Sequence, residues 1–308
     1  MAAARFDLAH VRFEGKERRP ADVRRHLGPC RLAPPGRPAP APRLPPIDKA
    51  GAGDFARWLL SQAGLSAGIY RPETLQRRVA AALRALKVAT MDDARRLVSR
   101  HPERVHVGVS ALLIGVTDFL RDAAVFDDIR ATILPALAAQ SGPLRVWSAA
   151  CSSGEELYSL AILLAEAGLL DRTEILGTDC RADAIAHART GVYPAASVAS
   201  LAPDIRAKYL EPNGDEWRIA KALRERAQWK VADLGVGIEH GPWDLVLWRN
   251  VAIYLDPAAT ARIRSRLVAA LRPGGFLVLG KAERVPAGMN MDAVRRCIYR
   301  HAEHHHVT

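Results

Sequence analysis

At 308 residues the chain is long enough to bury one large domain and a smaller one. A composition of 49% hydrophobic and 25% charged residues is ordinary for a globular protein, and no run approaches the ~18 apolar residues of a membrane-spanning helix. The formal charge of +11 invites a nucleic-acid reading, yet residues 1–50 hold 11 Lys and Arg against 5 Asp and Glu while residues 51–308 hold 33 against 28, so the body is close to balanced and nucleic acid is not the expected partner.

The opening "MAAARFDLAHVRFEGKERRP" lacks the apolar core of a signal peptide, which makes the cytoplasm the expected location. From Pro29 to Pro46 eight of eighteen residues are proline, a composition that excludes a helix or a central strand. Residues 1–50 therefore read as a Pro/Arg-rich, disordered arm. Cys30, Cys151, Cys180 and Cys297 are scattered with no C-x-x-C pair, so neither a zinc site nor a disulfide framework is indicated.

Residues 51–140 read as an all-helical domain. "DFARWLLSQAG" is a short helix with an Asp54 cap and a Gly64 stop. "RPETLQRRVAAALRALKV" starts on Pro72 and places Leu75, Val79, Ala82, Leu83 and Leu86 on one face. Its other surface carries Arg77, Arg78, Arg84 and Lys87. A solvated face is the plain reading of each, and as a cluster they suit an acidic partner. "MDDARRLVSRHP" makes a third helix, and the stretch to Gln140 holds one or two more.

Past Ser141-Gly142 the pattern changes to strands at 144–149, 174–178, 244–249, 275–280 and near 297–301. Between them, helices are expected at 155–167, 181–189 and 257–271. This alternation predicts an α/β fold, a doubly wound, mostly parallel sheet over 141–308. Residues 193–233 are less regular and fit short antiparallel strands or a helix, leaving room for a small β insertion near 195–232.

In such a sheet ligands bind beyond the carboxyl ends of the strands. The first strand-to-helix turn is Ala150-Cys151-Ser152-Ser153-Gly154, and of a G-x-G-x-x-G fingerprint only Gly154 is present. Glu155 and Glu156 open the helix, where they complement its dipole but repel phosphate. Asp179 ends the second strand, where an acid accepts hydrogen bonds from ribose hydroxyls, although a helix N-cap is an alternative reading of the same residue. A ribose, an adenine and a cationic amino-acid end without phosphates satisfy these features together, and S-adenosylmethionine is such a ligand. One glutamate would then hold its ammonium, with simple dipole compensation the plain reading of the other. Arg249-Asn250 ends the fourth strand at the same edge, and "LRPGGFLVLGKAE" supplies a Pro-Gly-Gly turn into the fifth.

Taken together, "TDFLRD", "WSAACSSGEELYSLA", "LGTDCRADAIAHARTGVYP", "DLVLWRNVAIYLD" and "LRPGGFLVLGKAE" occur in an order that resembles the chemoreceptor glutamate methyltransferases of the CheR family, from about Asp54 to Arg300. The resemblance implies a class I S-adenosylmethionine methyltransferase-like fold preceded by a small all-α domain. It assigns cofactor contacts to Thr117, Arg121, Glu155, Asp179, Asp233, Leu234, Arg249 and Asn250, with Arg121 at the methionine carboxylate, Glu155 at the ammonium and Asp179 at the ribose. Tyr254, together with Arg249, would form the methyl-transfer pocket; a packed core tyrosine is the plain reading of Tyr254. Arg77, Arg78 and Arg84 would dock an acidic helical region of a chemoreceptor-like protein, and the enzyme would reach the membrane only through that receptor.

The charged cofactor-binding core is kept and the departures from the family pattern lie at its periphery, which bears on substrate identity more than on cofactor binding. Gly115 stands where N-x-T has asparagine, Cys180-Arg181 where T-D-I-D has Ile-Asp, Trp248 for a cysteine, Asp233 for an asparagine and Lys281-Ala282 for a polar pair before Glu283. No glycine-rich loop of the kind that grips a receptor tail occurs in 205–231.

The implied reaction is methyl transfer to a glutamate side chain. A carboxyl with a pKa near ~4.3 is already ionised at neutral pH, so an in-line displacement at the sulfonium requires no general base. Two other readings stay open: the same fold acting on a small-molecule carboxylate or nucleic acid, and a non-catalytic module that binds S-adenosylmethionine or S-adenosylhomocysteine and signals. The ending with His301, His304, His305 and His306 reads as a tail rather than a metal site.

Overall fold

Asp48 accepts the Gly51 N–H at 2.9 Å and so caps the first helix, α1 (Lys49–Gln62). The helix begins upstream of the expected Asp54 cap, and Asp54 instead pairs with Arg57 on the exposed face. The computed structural model describes residues 48–113 and 115–303. The arm expected over 1–50 lies almost wholly outside the described residues, as do His304, His305 and His306.

The single helix expected over 71–88 is two, α2 (Pro72–Gln76) and α3 (Val79–Leu86). The break falls at Arg77-Arg78, where the Arg78 N–H turns back to Leu75 O at 2.9 Å and its side chain is anchored elsewhere. α4 (Met91–Arg100) starts on a Thr90 cap, and α5 (Val105–Leu112) follows. Phe55, Leu59, Leu83, Leu86, Val109 and Leu112 close a core private to these helices. Helices α6 (Ala123–Asp128) and α7 (Leu134–Ala138), joined by a π turn over Ile129–Ile133, do not join it. Their Phe126, Ile133 and Leu137 pack with the sheet, so the helical stretch before residue 140 is shared between two cores.

The sheet begins with β1 (Leu144–Ala149), followed by α8 (Glu155–Glu166), β2 (Thr173–Asp179) and α9 (Ala182–Thr190). A separate three-stranded antiparallel sheet comes next. It is made of β3 (Val192–Pro194), β4 (Leu210–Asn213) and β5 (Glu216–Ile219), with α10 (Pro203–Tyr209) before β4. Then come α11 (Lys221–Arg226), β6 (Ala227–Val231), β7 (Trp243–Trp248), α12 (Pro257–Ala269), β8 (Leu271–Leu279), β9 (Met291–Arg295) and β10 (Ile298–His301). The irregular stretch thus holds antiparallel strands and helices together.

The main sheet is ordered β6-β2-β1-β7-β8-β10-β9, with β10 and β9 antiparallel at one edge. β6 and β9 have no counterpart in the sequence reading. Along β1, Val146 faces the α8 side while Trp147 faces α12, and Leu245 and Val246 on β7 divide in the same way. Both faces are apolar, as a parallel sheet covered by helices requires. The chain steps outward from β1 through β2 to β6 and then returns to lay β7 on the other side of β1. Strand order reverses there, which opens a crevice at the carboxyl edge. Among the described residues no helix is long and apolar enough to cross a membrane.

Candidate active site at the carboxyl edge of the sheet

Beyond β1 the chain turns tightly, with φ of 61° at Ala150, 54° at Ser152 and 99° at Gly154. The first two are strained for residues with a Cβ and are held by their surroundings. Cys151 N–H donates to Thr178 O at 2.8 Å, and Ser152 N–H to Asp179 Oδ2 at 2.9 Å. At Gly154 a Cβ would lie 2.7 Å from the Trp229 ring, so β6 packs against this turn only because the residue is glycine. Asp179 therefore braces the first turn. It does not cap α9, whose N-cap is Arg181 without a side-chain bond.

Glu155 and Glu156 point in different directions, as consecutive helical residues must at roughly 100° apart. Glu156 lines the cleft, accepting from Ser148 Oγ at 2.8 Å and Arg249 Nη1 at 2.9 Å. Glu155, expected at the ligand's ammonium, is not among the lining residues; it is buried beside Ser153, whose hydroxyl it accepts at 2.8 Å. Burial pushes its carboxyl above the ordinary range, against the Ser153 and backbone hydrogen bonds that lower it.

Arg249 follows the last residue of β7 with its side chain only 1% exposed, and its guanidinium is engaged with the protein on both Nη atoms. Besides Glu156 it reaches Asp122 Oδ2 at 3.1 Å and the Arg121 carbonyl at 2.7 Å, and it lies 5.3 Å over the Phe126 ring. Lys281 completes the set at 2.8 Å from Asp122 Oδ1. Burial would raise the Asp122 carboxyl, but the Lys281 hydrogen bond and the Arg249 charge outweigh it and hold the carboxyl below its ordinary range. Arg249, expected with Tyr254 in the methyl-transfer pocket, lines the cleft while its Nη atoms hold Glu156, Asp122 and the Arg121 carbonyl.

Asn250 follows at φ 59°, a left-handed position that asparagine tolerates better than most residues. The buried Glu283 holds it there. Its carboxylate accepts the N–H groups of Asn250 and Gly280 on Oε2, at 3.0 and 2.7 Å, and those of Val251 and Ala252 on Oε1, both at 2.9 Å.

The helical region forms the opposite wall. Arg71 N–H donates to Tyr254 O at 3.0 Å, Asp256 N–H donates to Ile69 O at 2.8 Å, and Tyr70 bridges Leu255. Asp233 accepts Ser66 N–H at 2.7 Å. Tyr70 reaches into the cleft beside Cys180, with O and S 3.8 Å apart. Burial pushes the Tyr70 hydroxyl well up and the Cys180 thiol up to about 12, and the neighbouring acids add to both.

Thr117, Arg121, Asp179, Asp233, Leu234, Arg249, Asn250 and Tyr254 all line this one cleft. Arg77, Arg78 and Arg84 are elsewhere. Arg77 and Arg84 are exposed on the helical region, while Arg78 donates Nη2 to the Ala111 carbonyl at 2.9 Å and serves the junction of α3 with α5. Sequence reasoning missed Asp122, Glu283 and Tyr70 as site residues, and of the two adjacent glutamates it chose Glu155 where Glu156 lines the cleft. Asp122 closes "TDFLRD" and Glu283 closes "LRPGGFLVLGKAE", so both carried a signal; Tyr70 carried none.

The cleft opens at its mouth to solvent and is walled by the helical region on one side and the strand ends on the other. Ile69, Leu113, Val116 and Leu234 give it an apolar wall suited to a flat base. Glu156, Asp179 and Asp233 bring acceptors, and Arg121 and Asn250 bring donors. An adenosine with a zwitterionic amino-acid end and a sulfonium matches this donor set, and nothing in it resembles a phosphate cradle.

Comparison with known proteins agrees. Residues 115–298 match the family described as "CheR methyltransferase, SAM binding domain". The chain is 29% identical to the chemotaxis protein methyltransferase of Vibrio parahaemolyticus over 79% of its length and 92% of the relative's. It is 28% identical to that of Listeria monocytogenes over 80% and 95%, and 30% identical to chemotaxis protein methyltransferase 2 of Pseudomonas aeruginosa over 71% and 81%. Among solved structures it is similar to the plantazolicin methyltransferase BpumL in complex with a desmethylPZN analog and SAH, at 14% identity and a TM-score of 0.34 over 67% of this chain and 58% of that one. A TehB-like SAM-dependent methyltransferase from Corynebacterium glutamicum is 20% identical with a TM-score of 0.30, over 52% and 70%. With the cleft at the strand reversal and a match spanning most of the sheet, the chain belongs to the CheR methyltransferase family, with S-adenosylmethionine as its cofactor.

Proposed function

We propose that this protein transfers methyl groups from S-adenosylmethionine to glutamate side-chain carboxylates of chemoreceptor-like proteins, in the cytoplasm, meeting the membrane only through the receptor. The observation that carries this reading is that acids in and behind the cleft wall, Asp233 excepted, are paired with cations in advance. Glu156 and Asp122 share Arg249, Asp122 also holds Lys281, and Asp179 pairs with Arg181. An anionic methyl acceptor would be repelled by bare carboxylates at short range and is not repelled by paired ones.

When bound, the cofactor supplies an electrophilic methyl group on a sulfonium. The chain's own task is to hold and to shield. Arg121, half-exposed at the rim with Nη1 on the Val116 carbonyl at 2.5 Å, is placed to meet the amino-acid carboxylate. Glu156 takes the role that the sequence reading gave to Glu155, facing the ammonium. Asp179 and Asn250 frame the adenosine, and Tyr254 stands where an incoming side chain would meet the methyl group. A glutamate acceptor is ionised at neutral pH, so alignment and exclusion of water supply the rate, without a general base. The exposed Arg77 and Arg84, seven positions apart on the helical region, offer an acidic receptor helix a cationic face.

The test uses tritiated S-adenosylmethionine with purified protein, membranes and cytosol. Label on a membrane protein, released by mild alkali as methanol and absent with Asp179→Ala, is the expected result. Label that resists alkali, or that sits on a small molecule or on nucleic acid, would reject a glutamate ester. Binding of S-adenosylmethionine without labelling of any fraction would leave a non-catalytic signalling module.

A further inference from the structure

Arg181 is a cleft residue that the roles above leave without a ligand. It follows Asp179 and Cys180, and Asp179 Oδ1 accepts both its backbone N–H, at 2.9 Å, and its Nε, at 3.2 Å. Nη2 donates to Ser152 Oγ at 2.8 Å, and that hydroxyl donates to the Gly115 carbonyl at 2.8 Å. The side chain is 11% exposed and lines the cleft beside Gly115, Thr117 and Asp233. Among the described residues no acceptor meets Nη1.

The guanidinium lies on the backbone of Gly115. A Cβ built there would sit 2.0 Å from Nη1 and 2.3 Å from Cζ, far inside contact distance. Gly115 does not have a left-handed φ, so its backbone has no need of glycine. The guanidinium instead occupies the space that a side chain at 115 would take, and a larger residue there would push it aside. The two departures from the family pattern, at 115 and at 181, are therefore one exchange: a side chain leaves the wall at 115 and a longer one from the end of β2 fills its place.

We infer that Arg181 is a cofactor-contacting residue that sets affinity, its Nη1 donating to an uncharged acceptor on the adenosine half of S-adenosylmethionine. This inference rests on the cofactor occupying this cleft. Three features select that half of the ligand. Asp179, the proposed ribose partner, holds the same guanidinium. Two of the three guanidinium nitrogens are fixed by Asp179 and Ser152, so the third is pre-oriented. A positive group partly neutralised by its own carboxylate also tolerates a neutral acceptor better than it would a sulfonium.

Titration calorimetry of S-adenosylhomocysteine and S-adenosylmethionine against the full chain, with melting of the ligand-free protein as control, tests this. Arg181→Ala is expected to weaken both ligands equally, about tenfold or ~1.4 kcal/mol, at a temperature where melting shows the ligand-free variant, with Asp179 unpaired, still folded. Gly115→Asn should weaken them at least as much, because it expels the guanidinium, and the double variant should bind no worse than Arg181→Ala alone. Unchanged or tighter binding by Arg181→Ala would mean that the guanidinium is idle or a plug, and would overturn the inference. Additive losses would overturn it too, since one exchange cannot be lost twice. Arg121→Glu separates the two levels. If it binds like the unmodified chain, the placement of the cofactor fails and Arg181 with it; if it loses binding, failure of Arg181→Ala strikes the inference alone.

Discussion

Asp233 accepts the backbone N–H of Ser66 at 2.7 Å, joining the turn after α1 to the turn after β6. Its other carboxylate oxygen accepts Gly235 N–H, also at 2.7 Å. An asparagine, the usual residue of the family pattern at this position, has one acceptor oxygen and would turn an amide against one of these donors. Asp233→Asn is expected to cost about 1 kcal/mol of stability, the net worth of one part-buried hydrogen bond. Urea unfolding measures it, and a loss below about 0.5 kcal/mol would show that the link between the two turns carries no weight.

Glu283 presents two oxygens to four backbone N–H groups, and its removal should be felt at the ligand rather than only in the fold. In Glu283→Gln the amide faces two of those donors. The loop from Asn250 to Tyr254 is then expected to shift, with S-adenosylhomocysteine affinity falling more than about tenfold. Calorimetry checks this. Undiminished affinity in a folded variant would mean that the loop keeps its place unaided.

Arg249→Met leaves Glu156 and Asp122 without their shared partner. Breaking a buried pair in this way costs about 3–5 kcal/mol. Asp122 keeps Lys281, so the uncompensated charge falls on Glu156, and adding Glu156→Gln to Arg249→Met should recover part of the loss. No recovery in the double variant, from denaturant midpoints, would refute the electrostatic account.

Glu155→Gln should act in the opposite sense. Burial raises the folded-state carboxyl above its unfolded value, so the native protein bears a cost for carrying that charge at neutral pH. The cost is fully present above the folded pKa and fades as pH falls through it towards the unfolded value. The variant is therefore expected to be the more stable protein at pH 7.5, with the advantage gone by about pH 4. A stability gain that persists at low pH would point to packing instead.

The strands that carry the site were legible because each is a continuous apolar run ending in a polar signature, as with Val146–Ala149 before Ser152 and Leu245–Trp248 before Arg249. β6 and β9 were not. Their burial is patchy and their residues mixed, and β6 pairs with β2 alone at the edge of the sheet. Which of two adjacent glutamates faces the cleft depends on the helix's rotation against the sheet, and neighbouring letters do not record it. Arg78 looked equivalent to Arg77 and Arg84 until packing gave it the Ala111 carbonyl. Gly115 and Arg181 are far apart in the chain, and only the fold brings the guanidinium onto the glycine.

The backbone bonds between 69–71 and 254–256 also bear on what may be cut away. The family match begins at residue 115, but Ile69, Tyr70, Thr74, Leu75 and Leu112 belong to the chamber wall. A fragment trimmed to the matched segment would face its ligand with one side open to water and with Tyr254 released from Arg71. A piece that keeps the whole chamber wall reaches back beyond Ile69, well before the edge of the matched segment.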